Sequence, residues 1–467
     1  MKCAAALTAY AVNAAPLIKK VIPLTYKSKE VHMNPSYIKF SLTKTINSMQ
    51  CDPSPYVKNA GRDFTRKRKI SFSDLILSII SMENHTLNRE LRRFFPSDNN
   101  RTPTKSAYIQ QRKKLNDNAF PHIFSVLNTI FPFRKKFHGL HLLACDGSDV
   151  NIPPCPGDAE TYVPSNTAGV GYHQMHLNAL YDLIEERYPD VVIQKRAEIN
   201  ERAAFIQMVE RNSLAGKCLY VADRGYFSLN VLAHVIYAEQ FFLLRLNDLN
   251  ASNSFIKRFP LPSSREFDQR VSFEVTRKKS NLYKNHPDRF FVVRKSRPFD
   301  LIPEDDKTTL FPMSIRIIKI ELDGGNTEYL LTNLPECQFG IALIKDIYHM
   351  RWGIETSFRY LKYNVALNYF HSCLRELIIQ EFFARLILYN MTMLLIGCVK
   401  VVQSGRKYKR KVSVSDAVVT CRYFLIQRIK NTEIRNQLLR YLTDIRPGRI
   451  YPRKVRSKRF ESLTNRT

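Results

Sequence analysis

Two short apolar runs, Leu142-Leu143-Ala144-Cys145 and Cys218-Leu219-Tyr220-Val221-Ala222, each end on an aspartate: Asp146-Gly147-Ser148 follows the first, Asp223-Arg224-Gly225-Tyr226 the second. Runs of this length, bounded by turn residues, read as strands buried on both faces. Such strands occur in α/β sheets covered by helices, and these sheets gather ligands at the carboxyl ends of their strands. Both carboxylates are therefore expected at strand tips along one edge. Further strands are predicted at 175–182, 190–194 and 241–244, with helices at 200–212 and 230–238. The resulting order is β-β-β-α-β-α-β.

The flanking regions differ in pattern. Between about 247 and 335 short β-type runs replace the helices (271–275, 290–293, 315–322 and 329–332, the last after Asp323-Gly324-Gly325), which reads as an all-β insertion in a catalytic region of 138–400. Residues 50–137 read as a small helical domain: one helix is opened by Ser71 or Ser73, and another at 106–115 carries Arg112 and Lys113. Residues 1–49 form an extension, only weakly like a signal peptide. Residues 401–467 form a basic region that is helical to about 442, with a tail beyond Arg446 expected to be extended. The apolar stretch at 386–402, broken by Asn390 and Thr392, is too short and too polar for a membrane span and reads as a buried helix.

Charge narrows the partner. The chain of 467 residues has 72 Lys and Arg against 42 Asp and Glu, a formal net charge of +30. From residue 400 onward there are 19 Lys/Arg and four Asp/Glu, so half the surplus lies in the last 68 residues. An excess of this size serves most often to neutralise nucleic-acid phosphates. The helical domain, with Arg66-Lys67-Arg68-Lys69 before its first helix, could lie on DNA. Nine cysteines without a C-x-x-C pair argue against a disulfide framework or a structural zinc site and fit reduced thiols in a cytosolic compartment.

The segment 348–362 carries the chemistry. At about 100° per residue, Ile347, Ile354, Phe358, Leu361 and Val365 form an apolar stripe, and Tyr348, Arg351, Glu355 and Lys362 form a second stripe beside it. Glu355 is thus expected at the margin of the core, with Arg351 one turn away to orient it. With Asp146 and Asp223 it would make an all-oxygen site, whose natural occupant is a hard divalent ion such as Mg²⁺ or Mn²⁺. A pair of such ions can activate a water or a sugar 3′-hydroxyl for in-line attack on a phosphodiester.

These residues resemble the DDE transposases of bacterial insertion sequences, in particular the insertion sequence 4 family, whose signature is Y-x2-R-x3-E-x6-K. Tyr348, Arg351, Glu355 and Lys362 keep every spacing. The strand ending in Asp146-Gly147 and the Asp223-Arg224-Gly225-Tyr226 segment match the other two motifs, and the likeness covers about 70 to 400. It implies an RNase H-like core in which Asp146, Asp223 and Glu355 are the catalytic residues and hold two metal ions, Mg²⁺ or Mn²⁺. The enzyme would cut the ends of its element and join the freed 3′-hydroxyls to target DNA. Tyr348, Arg351 and Lys362 would grip phosphates near the site, with Arg224, Arg112 and Lys113 as further DNA contacts. The partner implied is double-stranded DNA, both element terminal repeats and target, bound by a homodimer that pairs two ends in the bacterial cytoplasm, at the nucleoid and away from membranes. Some members of the family stack an extruded base on a tryptophan of the insertion. Here the only Trp is Trp352, inside the helix motif, so Tyr283, Phe290, Phe291 or Tyr329 would have to serve.

Other features carry less. His173 and His176 would point to opposite faces of a strand, which argues against a metal pair. Asp149 and Asp182 are additional acids near the expected site. Gly169-Val170-Gly171 lacks the rest of a phosphate loop. Two alternatives remain at this stage: a DNA-binding protein derived from a transposase that no longer cuts, and a metal-dependent nuclease on the same core.

Overall fold

The computed structural model describes residues 34–446 apart from 67, 96–101, 166–169, 247–253, 296, 322–326, 404 and 406. The N-terminal extension before residue 34, Lys67 of the basic block, Gly169, the turn at 323–325 and the tail from 447 lie outside the described residues. The first elements are helices α1 (Pro35–Cys51), α2 (Phe72–Ser81), α3 (Leu87–Phe94), α4 (Lys105–Arg112) and α5 (Ala119–Ile130). Ser71, rather than Ser73, caps α2 by accepting from the Asp74 amide at 3.0 Å.

The sheet region runs β1 (His141–Ile152), β2 (Tyr162–Val163), β3 (Tyr172–Asp182), β4 (Arg187–Lys195), α6 (Glu201–Glu210), β5 (Cys218–Ala222), α7 (Leu229–Tyr237) and β6 (Phe241–Leu246). β3 pairs antiparallel with both β1 and β4, while β1, β5 and β6 are mutually parallel. The sheet is therefore mixed. β7 (Phe267–Thr276), the short helix α8 (Asn281–Asn285), β8 (Phe290–Val292), β9 (Leu310–Glu321) and β10 (Thr327–Thr332) follow. The expected β insertion does not form a sheet of its own: β10 pairs with β6, and the order continues β10-β9-β7-β8. Edge pairing satisfies the outer row of β6 amides and carbonyls, which a separate domain would have left open.

Asp146 corrects the reading of its strand. It lies inside β1, which runs on to Ile152, and not at a strand tip. The apolar run stops at Cys145 because β5 stops opposite it at Ala222; beyond that level β1 pairs only with β3 and is partly exposed. The change of composition marks where one neighbour ends, not where the strand ends.

The C-terminal part holds α9 (Ile341–Met350), α10 (Trp352–Arg359), a π-helical turn at Tyr360–Asn364, α11 (Arg375–Gly397), β11 (Arg410–Val412), α12 (Val414–Leu425), α13 (Ile434–Arg440) and β12 (Leu442–Asp444). By length and composition α11 could cross a membrane, but 94% of its apolar window is buried inside the protein. It is a core helix. One hydrophobic cluster joins Ile38, Leu75, Ile79 and Phe124 to Phe382, Leu386, Val418 and Phe424, so the helices before β1 pack directly on α11 and α12. The expected boundary at residue 50 falls within α1.

Candidate active site

Parallel pairing sets Cys145 opposite Ala222, so Asp146, inside β1, and Asp223, just past the end of β5, lie at the same level. Leu142, Leu219 and Val221 share a core with Ile344, Ile347 and Tyr348 of α9. Alternation along each strand then turns Asp146 and Asp223 toward the face covered by α9 and α10. From that layer Arg351, 6% exposed at the joint between the two helices, reaches down. Its Nη2 donates to Glu355 Oε1 at 2.9 Å, and its Nη1 stands 4.0 Å from Asp146 Oδ2. Its Nε is buried without a hydrogen-bond partner.

Burial pushes the Asp146 carboxyl up to about 6; Glu355 and Glu201 add to the rise, while the Gly147 amide at 2.9 Å and Arg351 oppose it. Tyr348, buried beside Arg351, has its phenol raised to about 12 by desolvation. Lys362 lies in the π turn, a feature frequent at functional sites. It donates from Nζ to the Asp149 carbonyl at 2.7 Å, and burial lowers its ammonium pKa. The helix stripe thus delivers Tyr348, Arg351, Glu355 and Lys362 to one flank of the Asp146 strand.

The three acids are not drawn together around one point. No group of three His, Cys, Asp or Glu side chains has metal-binding spacing among the described residues. Arg351 occupies the space between Asp146 and Glu355 and compensates two carboxylates that would otherwise repel. The donor chemistry still suits a hard divalent ion. All three donors are carboxylates, and the raised Asp146 is a group whose ionised form gains from a nearby cation.

A further charged cluster adjoins this site, and sequence reasoning missed it. Asp149 and His176 are register partners in β1 and β3, with Nδ1 and Oδ1 2.7 Å apart. Glu201, first residue of α6 after its Asn200 cap, faces His176 Nε2 at 3.1 Å. Burial opposes charge on His176, but the bond to Asp149 and the neighbouring Glu201 raise its pKa to about 9. The same bond holds Asp149 below the usual carboxylate range. Gly147 permits this approach, since a Cβ there would stand 2.4 Å from His176 Nε2 and 2.5 Å from Glu201 Oε1. The alternation argument holds for the two histidines: His173 bonds Thr161 Oγ1 at 2.9 Å, and His176 turns to Asp149. The sequence signal was the strand register, which needs a partner strand to be read.

Several expected contacts are placed differently. Arg112 is fully buried, donating to Glu381 Oε1 at 2.8 Å, Gln380 Oε1 at 3.2 Å and the Leu377 carbonyl at 2.7 Å. It ties α4 to α11 and is closed to a DNA phosphate. Lys113 and Arg224 are exposed. Asp182 is buried at the end of β3, accepting from the Ile184 and Glu185 amides of the turn that follows, and does not join the site. Phe291 lies under Arg258, and Tyr329 is buried. Tyr283 and Phe290, part-exposed, stack on each other at 4.3 Å. Trp352 is 50% exposed with the Arg351 guanidinium 5.3 Å from its ring.

Residues 138–391 match the family model described as a transposase DDE domain. A solved structure, the piggyBac transposase synaptic complex with hairpin DNA, is 11% identical, covers 89% of this chain and 87% of its own, and superposes with a TM-score of 0.41. No curated protein sequence matches.

Proposed function

The chain belongs to the transposase DDE domain family, and on that premise we propose that it cuts DNA at the ends of a mobile element and joins the freed 3′-hydroxyls to target DNA. Its core is an RNase H-like α/β fold with a mixed sheet. The spacing of Tyr348, Arg351, Glu355 and Lys362 supports a place within the insertion sequence 4 group. What carries the reading is Arg351: a nearly buried guanidinium shared by Asp146 and Glu355, two of the three carboxylates of the candidate site.

DDE transposases use divalent metal ions. Here Asp146, Asp223 and Glu355 would hold Mg²⁺ or Mn²⁺, two per site, which when bound would activate a water or 3′-hydroxyl and stabilise the leaving oxygen. The chain's own residues do the rest. Arg351 holds Glu355 in place, and its planar fork would suit a phosphate oxygen brought to the site. Lys362, held by one carbonyl and by no carboxylate, keeps donors for a phosphate. Arg224 and Lys113 add exposed charge, and the net +30 draws the DNA in. A homodimer pairing two ends in the cytoplasm, at the nucleoid, completes the proposal.

The test incubates purified protein with Mg²⁺ or Mn²⁺ and a DNA fragment carrying both flanks of its coding region, comparing wild type with Glu355→Gln. Joined products lost in the variant support a transposase. Nicks without joining would move the reading to a nuclease, and binding without a metal-dependent cut to a DNA binder that no longer cuts.

A further inference from the structure

A second cationic cleft lies where β7 ends. Arg277, Lys295, Arg297 and Phe299 line a cavity of about 540 Å³. Arg277 is pinned in its wall, with Nε donating to the Ile302 carbonyl at 2.9 Å and Nη2 to the Phe299 carbonyl at 3.0 Å. Its Nη1 is buried with no hydrogen-bond partner. A guanidinium fixed in this way, with one nitrogen left without an acceptor, adds to the wall a positive charge that the protein does not itself neutralise.

The charge balance points the same way. Arg258 sits 4.1 Å over the Phe291 ring, close enough to Arg297 for the two to repel, and burial with that repulsion lowers its guanidinium pKa. Among the described residues none of Arg258, Arg277, Lys295 and Arg297 makes an ion pair. Of the two carboxylates in the wall, Asp300 is committed elsewhere: it accepts from Asn230 Nδ2 at 2.7 Å, lies 3.4 Å from His234 Nε2, and its amide donates back to Asn230 Oδ1 at 2.9 Å. Glu304 alone remains to oppose the three cations that line the wall, with Arg258 beside Arg297. The reciprocal Asn230–Asp300 bonds also fasten the cleft to the first turn of α7, a helix that begins six residues after Asp223.

We propose that this cleft is a phosphate-binding site distinct from the catalytic carboxylates, in which the exposed Lys295 and Arg297, backed by the fixed charge of Arg277, take the oxygens of a DNA phosphodiester or of a free phosphate. The proposal depends on the transposase reading only for the source of the phosphate.

Lys295 and Arg297 are exposed and their side chains make no ion pair among the described residues, so Lys295→Ala/Arg297→Ala should fold, and its unfolding curve checks that. Binding of the flanking-DNA duplex is followed against KCl concentration, and inorganic phosphate is titrated separately with phosphorus NMR detection. A salt slope about two units shallower in the double variant, with roughly 30-fold weaker binding at 0.15 M salt, identifies a DNA phosphodiester. Loss of inorganic phosphate binding with an unchanged DNA slope identifies a free phosphate. Equal slopes together with equal or absent phosphate binding would overturn the site. If wild type takes phosphate through these residues yet binds no DNA, the transposase reading fails and this site stands.

Discussion

His176 and Asp149 face each other across neighbouring strands at 2.7 Å, so the residue after the Asp146-Gly147-Ser148 turn of sequence is tied to β3 by a charged bond. Glu201 closes the other side of the imidazole ring. The cluster holds the backbone that carries Asp146 without touching the carboxylate itself.

The first expectation concerns alkaline pH. The folded pKa of His176, about 9, lies above its ordinary 6.5, so its contribution is complete below about pH 6.5 and is lost as the pH rises through 9. Because Asp149 is half exposed, screening reduces the gain to about 1–2 kcal/mol. Unfolding by urea at pH 6.5 and pH 9.5 should show that difference, and His176→Gln should remove it. A variant with the same pH profile as wild type would refute the assignment.

Gly147→Ala is expected to be poorly tolerated, because the new methyl meets the His176 ring and the Glu201 carboxylate. Overpacking of this kind costs about 1–3 kcal/mol. The Glu201 end can swing away, whereas the ring is held by Asp149, so adding Glu201→Ala should restore only part of the loss. Thermal unfolding of the single and double variants decides it; a stable Gly147→Ala would mean that the ring moves freely.

Arg112 should act on stability rather than on DNA. Removing one partner of a fully buried pair costs about 3–5 kcal/mol, so Arg112→Ala should unfold at markedly lower denaturant. The salt slope of DNA binding should stay the same in the folded fraction. A slope reduced by one unit at unchanged stability would return Arg112 to the DNA interface.

Acid should attack the same pair. Burial opposes the charge of Glu381, but Arg112 and His371 hold its pKa down to about 2, from an ordinary 4.5. A depressed carboxylate contributes fully above about pH 4.5 and loses that contribution as the pH falls toward 2. Circular dichroism between pH 5 and 2 should show α11 helicity failing in that window, and Glu381→Gln should flatten the response while lowering stability at neutral pH.

Arg351→Ala is expected to weaken binding of end DNA and to reduce the salt slope by about one unit, through loss of one phosphate contact. It should also free Glu355, so cleavage should fall by more than binding does. Anisotropy titration alongside a cleavage assay separates the two; equal losses would leave Arg351 as a phosphate contact only.

The sequence by itself was enough to propose the residues of the candidate site. Apolar runs ending on Asp146 and Asp223 mark strands, and the 3.6-residue period from Tyr348 to Lys362 sets four polar residues beside a core stripe; both are local patterns that a single chain segment expresses. It also carried the order of the longer strands and of the helices between them, though not the two-residue β2. Long-range pairing was decided only by the tertiary structure. Where β1 ends depends on where β5 stops, the β segments after β6 extend the same sheet because an open edge needs pairing, and Arg112, indistinguishable in sequence from its neighbour Lys113, is buried because Glu381 comes to it from 269 residues away. The Asp149–His176–Glu201 cluster likewise exists only through register, since its members are polar residues on three separate elements that no periodicity connects.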